Sequence, residues 1–98
     1  NIAALETRDP GNPALPKYAE IGRRFAMQKG LDGPDARRFL VASLRRWEEE
    51  LELPRLSAYG IGTGDLERIV AASRGSSMKT NPILLSDADL THILASRL

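Results

Sequence analysis

The sequence predicts an all-α fold. The strongest indication is the segment 34–53, in which apolar residues recur at steps of three and four, the spacing that lines one face of an α-helix. A capping pattern at Ser86 predicts a second helix start, and no alternating run of apolar and polar residues indicates a strand. The stripe that we expect to face a core consists of Ala36, Phe39, Leu40, Leu44, Trp47 and Leu51.

The ends of the long helix are marked by its residues. Pro34 suits a first helical turn, where its missing N–H needs no partner, and Asp35 places an acid at the positive end of the helix dipole. Pro54 stops the helix. The face expected in water carries Arg37, Arg38, Arg45, Arg46, Glu48, Glu49 and Glu52.

Before this helix the chain is predicted to form another. Residues 1–6 are typical of the end of a helix and lack an initiator Met, so we expect a fragment. The two prolines and the glycine of residues 8–13 predict a loop. Helix resumes near Pro16 and closes at Gly30 and Gly33. Its predicted apolar face consists of Tyr18, Ile21, Gly22 and Phe25.

After Pro54 the segment 54–62 is too apolar for a solvated linker. We expect Leu56, Tyr59 and Ile61 to fill the core from an irregular segment, and Thr63 to cap a short helix. That helix carries Leu66, Ile69, Val70 and Ala71, and a loop over 74–85 follows it.

The last helix begins at Ser86. Asp89 stands at the capping-box position, and Leu85 and Leu90 occupy the two hydrophobic-staple positions. Its predicted buried face consists of Leu90, Ile93, Leu94 and Leu98.

Composition excludes several function classes. Fourteen Lys and Arg balance thirteen Asp and Glu, so no broad field attracts nucleic acid or anionic lipid. The absence of cysteine excludes disulfides, thiolate catalysis and Cys-based zinc sites. No run approaches the roughly 20 apolar residues of a membrane span. We therefore expect no nucleic acid or membrane partner, and a cytoplasmic protein.

Two glycine-containing segments resemble nucleotide motifs only superficially. The segment 75–80 ends in Lys79-Thr80 like a P-loop, but Met78 stands where that motif needs glycine, and no strand leads in. The glycines at 60, 62 and 64 lack both the final spacing and the strand of a dinucleotide fingerprint.

Single residues with possible chemistry have simpler structural interpretations. His92, the only histidine, lacks companion ligands and is interpreted as a surface or boundary residue. Asp87 and Asp89 fit helix-dipole stabilisation better than acid–base catalysis, and Trp47 fits the core better than a stacking platform. The chain shows no set of nucleophile, base and orienting residue.

The order of several segments resembles the carboxyl-terminal end of iron-containing (group III) alcohol dehydrogenases. The resemblance covers nearly the whole chain, and its most specific parts are the Asn81-Pro82 loop before a capped final helix and the Leu-Pro pair before Tyr59. The segments are 18–21, the long helix, 53–56, 59–61, 65–66, 77–82 and 85–94.

The resemblance implies a multihelical domain of the dehydroquinate-synthase-like type. Residues 1–98 would be the later part of that one helical domain, and the nucleotide-binding domain and the metal-bearing helices would lie outside this chain. The parent would be an NAD(P)-dependent alcohol/aldehyde oxidoreductase in which iron or zinc polarises the alcohol and hydride passes to the nicotinamide. The fragment itself would hold no metal or cofactor, would be inactive alone, and would pack on the missing parts within a homo-oligomer.

One loop would approach the cleft of the parent enzyme. The resemblance places Ser77, Met78 and Lys79 at the wall of the alcohol pocket, although a solvent-exposed loop lysine is an equally good interpretation of Lys79. Asn81 fits a role in stabilising the turn before Pro82.

Two other interpretations of the chain stay open. The first is a stand-alone helical interaction module that grips a partner helix with an exposed apolar face. The second is a helix-turn-helix DNA binder, which the connection of about a dozen residues before the last helix disfavours because that motif uses three or four. For a fragment we expect uncovered apolar side chains, self-association and binding of a hydrophobic dye.

Overall fold

A computed structural model describes residues 1–98 and confirms the all-α prediction: it contains helices and no strand. The α-helices are α1 (Ile2–Arg8), α2 (Ala14–Ala26), α3 (Gly33–Glu50), α4 (Leu66–Ala72), α5 (Ser76–Lys79) and α6 (Asp87–Ala95). Two 3₁₀ helices cover Leu56–Tyr59 and Thr63–Asp65. The chain forms two compact units, Asn1–Leu53 and Pro54–Leu98, which are described separately.

The first unit is built around the close packing of α2 on α3. The backbone of Gly22 lies against the backbone of Ala36, which only a residue without a side chain allows at that distance. Leu5 of α1 is fully buried. The other buried apolar residues of this unit are Leu15, Ala19, Ala36 and Leu40.

The long helix has the predicted start and an earlier end. Asp32 is its N-cap, and the Asp32 Oδ1 accepts from the backbone N–H of Asp35 at 2.7 Å, with Pro34 in the first turn as predicted. The helix ends at Glu50 rather than 53. Glu52 adopts a left-handed conformation at φ 49°, and this turn ends the helix before Pro54 is reached.

The predicted core stripe of α3 is correct for two of its six residues. Ala36 and Leu40 are buried, but Phe39, Leu44, Trp47 and Leu51 are 40%, 49%, 44% and 69% exposed. Burial along the helix ends at Ser43, because α2 is 13 residues long against 18 for α3. The prediction that Trp47 lies in the core is therefore wrong.

Two further predictions for the first unit are corrected by packing. In α2, Ile21 and Phe25 are exposed, and the buried face is Leu15, Ala19 and Gly22. The helix begins at Ala14 and ends where Met27 turns left-handed at φ 55°, before Gly30 is reached.

Arg37 does not lie on the solvent face that the periodicity predicts for it. Its Nε donates to Glu6 Oε1 at 2.7 Å, and only 13% of its side chain is exposed. The periodicity of one helix could not predict this ion pair, because its partner is 31 residues away.

The second unit packs α4 on α6. Its buried apolar residues are Leu66, Val70, Leu85 and Leu90. The two ends of the unit meet where the backbone N–H of Leu56 donates to the carbonyl of Arg97 at 2.8 Å, and Ser57 Oγ donates to the carbonyl of Leu98 at 2.7 Å.

Two predictions about the start of this unit are wrong. Tyr59 is exposed rather than part of the core, while Leu56 and Ile61 are half-buried. Thr63 does not cap the short helix with its side chain. Instead the Asp65 carboxylate accepts from the backbone N–H of Gly62 at 3.0 Å, at the start of a 3₁₀ turn that leads into α4.

The last helix begins as predicted. Ser86 Oγ accepts from the N–H of Asp89 at 3.1 Å, and Asp89 Oδ2 accepts from the N–H of Ser86 at 2.8 Å, which together form a capping box. Leu85 and Leu90 are both buried, as the staple positions require, but Ile93 is exposed. The segment 74–85, expected as a loop, contains α5.

None of the helices combines the length and the apolar character needed to cross a membrane.

Candidate functional site

The three residues predicted to line a substrate pocket share one helical turn. Ser77, Met78 and Lys79 all belong to α5, where Ser77 and Lys79 are exposed and Met78 is half-buried. The turn therefore presents a hydroxyl and an ammonium group to the outside while the thioether rests partly on the protein. These groups are suited to binding, since a hydroxyl can donate or accept and an ammonium attracts anions.

Hydrogen bonds fix the end of this turn. Thr80 Oγ1 donates to the carbonyl of Ser77 at 3.1 Å, and the backbone N–H of Asn81 donates to the carbonyl of Met78 at 3.3 Å. Asn81 Nδ2 donates to the carbonyl of Ile83 at 2.8 Å and so bridges Pro82. The predicted role of Asn81 in the turn is confirmed.

Arg74 holds the segment from its other end. Its Nη1 donates to the carbonyl of Leu85 at 2.7 Å, and its Nη2 pairs with the Asp87 carboxylate. One guanidinium thus ties the connection between α4 and α5 to the first turn of α6. Sequence reasoning missed this contact, since an isolated arginine in a loop gives no signal about a partner 11 to 13 residues away.

The carboxylates near the site have structural partners. Asp89 belongs to the capping box and Asp87 pairs with Arg74, which supports the structural interpretation of both over acid–base chemistry. Elsewhere in the unit, the backbone N–H of Gly62, followed by the side chain of Arg68, lowers the pKa of Asp65 below its ordinary value of 3.8. This exposed aspartate is a turn-forming residue.

The residues present do not fit a divalent metal centre. Three or more His, Cys, Asp or Glu side chains converge nowhere in the structure, and His92 is exposed on α6. A site for iron or zinc needs several such ligands around one point. No chemical step through a metal can be derived from this chain.

A second feature of functional interest is an apolar ridge on the last two turns of α3. We use "the α3 ridge" for Leu44, Trp47 and Leu51, which continue the stripe of Leu40 but remain exposed. Trp47 has one aromatic neighbour, the Phe25 ring, with centroids 5.2 Å apart. Three large apolar side chains in succession thus form a partly exposed apolar stripe on one helix face.

The geometry also bears on DNA binding. Helix α4 ends at Ala72 and α6 begins at Asp87, with α5 between them. A helix-turn-helix motif joins its helices by a turn of about three or four residues. The second unit does not have that arrangement.

Comparison with protein-family models, with curated proteins and with solved structures finds no match for this chain. The resemblance to iron-containing alcohol dehydrogenases therefore stays a prediction from sequence, and the structure supplies the helices and turns on which it can be tested.

Proposed function

We propose that the chain is a supporting helical module of a larger oxidoreductase of the iron-containing alcohol dehydrogenase type. In this role the helices carry no reaction of their own. They pack against the metal-bearing helices of the parent protein and present the Ser77–Lys79 turn to its substrate cleft. Metal, nicotinamide and the residues that hold them belong to other parts of the parent, which we place in the cytoplasm as a homo-oligomer.

The observation that carries the proposal is the α3 ridge. Leu44, Trp47 and Leu51 fall on the face that the periodicity assigns to a core, yet they remain 49%, 44% and 69% exposed. Leaving this stripe partly exposed forgoes part of the hydrophobic stabilisation that full burial would give, which is about 1.5–3 kcal/mol for a large side chain. A face of this kind is expected on a module whose packing partner lies in the remainder of the protein.

The site in the second unit supports the finer part of the proposal. The resemblance implies an exposed loop that ends in Asn81-Pro82 and leads into a capped helix. The turn of α5 has its polar residues exposed, Asn81 bridges the proline, and Arg74 fixes the segment to α6. This arrangement suits Ser77 and Lys79 to contact a small polar substrate held by other elements.

The coding sequence before Asn1 gives the decisive test. We expect it to encode a Gly-Gly-Gly-Ser phosphate loop and a set of one Asp and three His that can hold a metal. The protein expressed from that longer frame should reduce NAD⁺ or NADP⁺ when given a primary alcohol and Fe²⁺ or Zn²⁺. The 98-residue chain should bind neither metal stoichiometrically and should show no turnover.

A variant of the longer protein tests the role of the turn. Lys79→Met keeps the length of the side chain and removes its charge, and is expected to raise KM for the alcohol with little change in kcat. Lys29→Met, at an exposed position in the first unit, serves as the matched control. A gene without the ligand set, or tight stoichiometric metal on the 98-residue chain, would overturn the proposal.

The α3 ridge also favours a second candidate, a stand-alone module that grips a helix of another protein. The two candidates differ in the reading frame. A complete small protein has a start codon at or just before Asn1, whereas the oxidoreductase module is preceded by a long coding stretch in the same frame.

A further inference from the structure

A groove between α1 and α3 lies on another side of the long helix from the ridge. It encloses about 470 Å³, and its floor is formed by Ile2, Ala3, Val41 and Ala42. Two of these four floor residues are alanines, so a neighbouring helix can approach the backbone closely. Arg45 lies on α3 just beyond the floor of the groove. It is about 200° around the helix axis from Trp47, because successive residues of an α-helix are rotated by about 100°.

Positive charge predominates along this groove. Arg37, Arg38 and Arg45 line it, against a single acid, Glu6, which Arg37 already engages at 2.7 Å. The Arg38 guanidinium pairs with Asp35, but both side chains are largely exposed and the pair can be exchanged at little cost. Arg45 forms no ion pair within the chain. The groove therefore favours an acidic occupant.

The same helix carries a suitable acid one turn beyond the groove. Glu49 follows Arg45 by four residues, so the two side chains share a face, and Glu49 also forms no ion pair within the chain. Along this stripe α3 is basic at Arg38 and Arg45, small and apolar between them at Ala42, and acidic at Glu49. When a second α3 helix is laid against this stripe in the opposite direction, Glu49 of each helix lies opposite Arg38 of the other.

We propose that the α1–α3 groove is a dimer interface that receives α3 of a second copy of this chain. The two α3 helices run antiparallel about a two-fold axis between Ala42 and Arg45, so that Glu49 of each copy faces Arg38 of the other and Arg45 lies against Ala42. Two-fold symmetry forms every contact twice, so one charge pattern supplies both sides of the interface. The interface leaves the α3 ridge uncovered and does not depend on the proposed oxidoreductase role.

Charge reversal with complementation tests the interface in the 98-residue chain. Sedimentation equilibrium is measured for the unmodified chain, for Arg38→Glu and for Glu49→Arg over a range of concentrations. The unmodified chain should dimerise, and each variant should dimerise about tenfold or more weakly because like charges then face each other twice. An equimolar mixture of the two variants should recover the dimer, since the acid introduced in one variant then faces the base introduced in the other.

The matched control is Arg46→Glu. Arg46 lies on the same helix as Arg38 and also forms an exposed ion pair, with Glu50, but it lies outside the groove, so this variant should dimerise like the unmodified chain. Far-UV circular dichroism verifies that each variant keeps its helices, and recovery in the mixture shows the same independently. Raising the salt concentration should weaken the unmodified dimer.

Three results would each overturn the inference. The first is an unmodified chain that stays monomeric at every concentration. The second is equal weakening by Arg38→Glu and Arg46→Glu, which would indicate a general charge effect. The third is a mixture of the two groove variants that associates no better than either alone. Enzymatic activity enters none of these measurements, so the interface and the oxidoreductase proposal can fail separately.

Discussion

The backbone of Gly22 lies directly against the backbone of Ala36, and a β-carbon at Gly22 would fall 2.0 Å from the Ala36 carbonyl oxygen. Real side chains do not tolerate that distance, and the obstacle is backbone rather than a flexible side chain. The approach of α2 to α3, and with it the core of the first unit, depends on this glycine.

Replacing that glycine should therefore destabilise the first unit. Gly22→Ala gains up to about 1 kcal/mol of helix propensity but must separate the helices, and we expect a net loss of about 2 kcal/mol in the free energy of unfolding. Urea unfolding followed by the fluorescence of Trp47, the only tryptophan, measures the change. Gly30→Ala is the control, since a β-carbon there meets nothing within 4 Å. Equal midpoints for both variants would contradict the packing described.

Met27 offers a stabilising change. It ends α2 in a left-handed conformation at φ 55°, and it is 92% exposed. Its backbone is therefore strained, and its side chain adds little buried apolar surface. Met27→Gly should raise the free energy of unfolding by about 1 kcal/mol, because glycine adopts this conformation without a β-carbon clash. The neighbouring change Gln28→Gly, at a position with negative φ, should instead be neutral or destabilising. Thermal unfolding of the two variants compares them, and a lower Tm for Met27→Gly would count against the assigned backbone conformation.

The turn before α4 should respond to acid. The N–H of Gly62 and then the Arg68 guanidinium lower the pKa of Asp65 in the folded state. Because the folded pKa lies below the unfolded one, the stabilisation is complete above the unfolded pKa and is lost as pH falls through the folded pKa. An NMR titration of the Asp65 side-chain carboxyl should give a midpoint below 3.8.

Asp65→Asn tests whether this interaction contributes to acid stability. The free energy of unfolding of this variant should depend less on pH in the acid range than that of the unmodified chain. The control variant Glu67→Gln, in the first turn of α4, should leave the titration of Asp65 unchanged. A midpoint for Asp65 at or above the ordinary value would refute the assigned hydrogen bond.

Arg74 should control the order of the candidate site. Arg74→Met keeps the length of the side chain but removes the donors to the Leu85 carbonyl and to Asp87. We expect the second unit to lose about 1–2 kcal/mol. Amide hydrogen exchange of residues 76–81 should speed up more than that of α4.

Arg68→Met is the matched control for this change. It removes a pair with Asp65 in which 78% of the arginine side chain is exposed, so its effect on stability should be small. Unchanged exchange in residues 76–81 of Arg74→Met would show that Asn81 and the capping box hold the segment without Arg74.

Local chemistry makes part of the structure predictable. The capping box at Ser86 and Asp89 is predictable because both partners lie within one helical turn, and the Asn81 turn is predictable because the side chain bonds its own neighbourhood. The long helix follows from spacing alone. Its cap at Asp32 and its end at Glu50 do not, since a start at Pro34-Asp35 and a stop at Pro54 are equally good in sequence.

Burial is the part that periodicity cannot predict. A stripe from Ala36 to Leu51 shows which face of α3 is apolar, but whether each residue is covered depends on how far α2 extends along it. The periodicity wrongly assigns Arg37 to the solvent face for the same reason, because its partner Glu6 lies on another helix, α1. The candidate site shows the same difference. Ser77, Met78 and Lys79 are predicted from the resemblance, whereas the role of Arg74 is recognised only from its contacts in the structure.

By itself the sequence determined the all-α class, the position of the long and the last helix, and the local turns, because each of these depends on residues within a few positions of one another. The tertiary structure alone decided which apolar residues are buried, which charges are paired, and that α2 and α3 meet at Gly22 and Ala36. Those outcomes depend on contacts between residues distant in the chain, and no short-range pattern encodes how two helix faces are brought together.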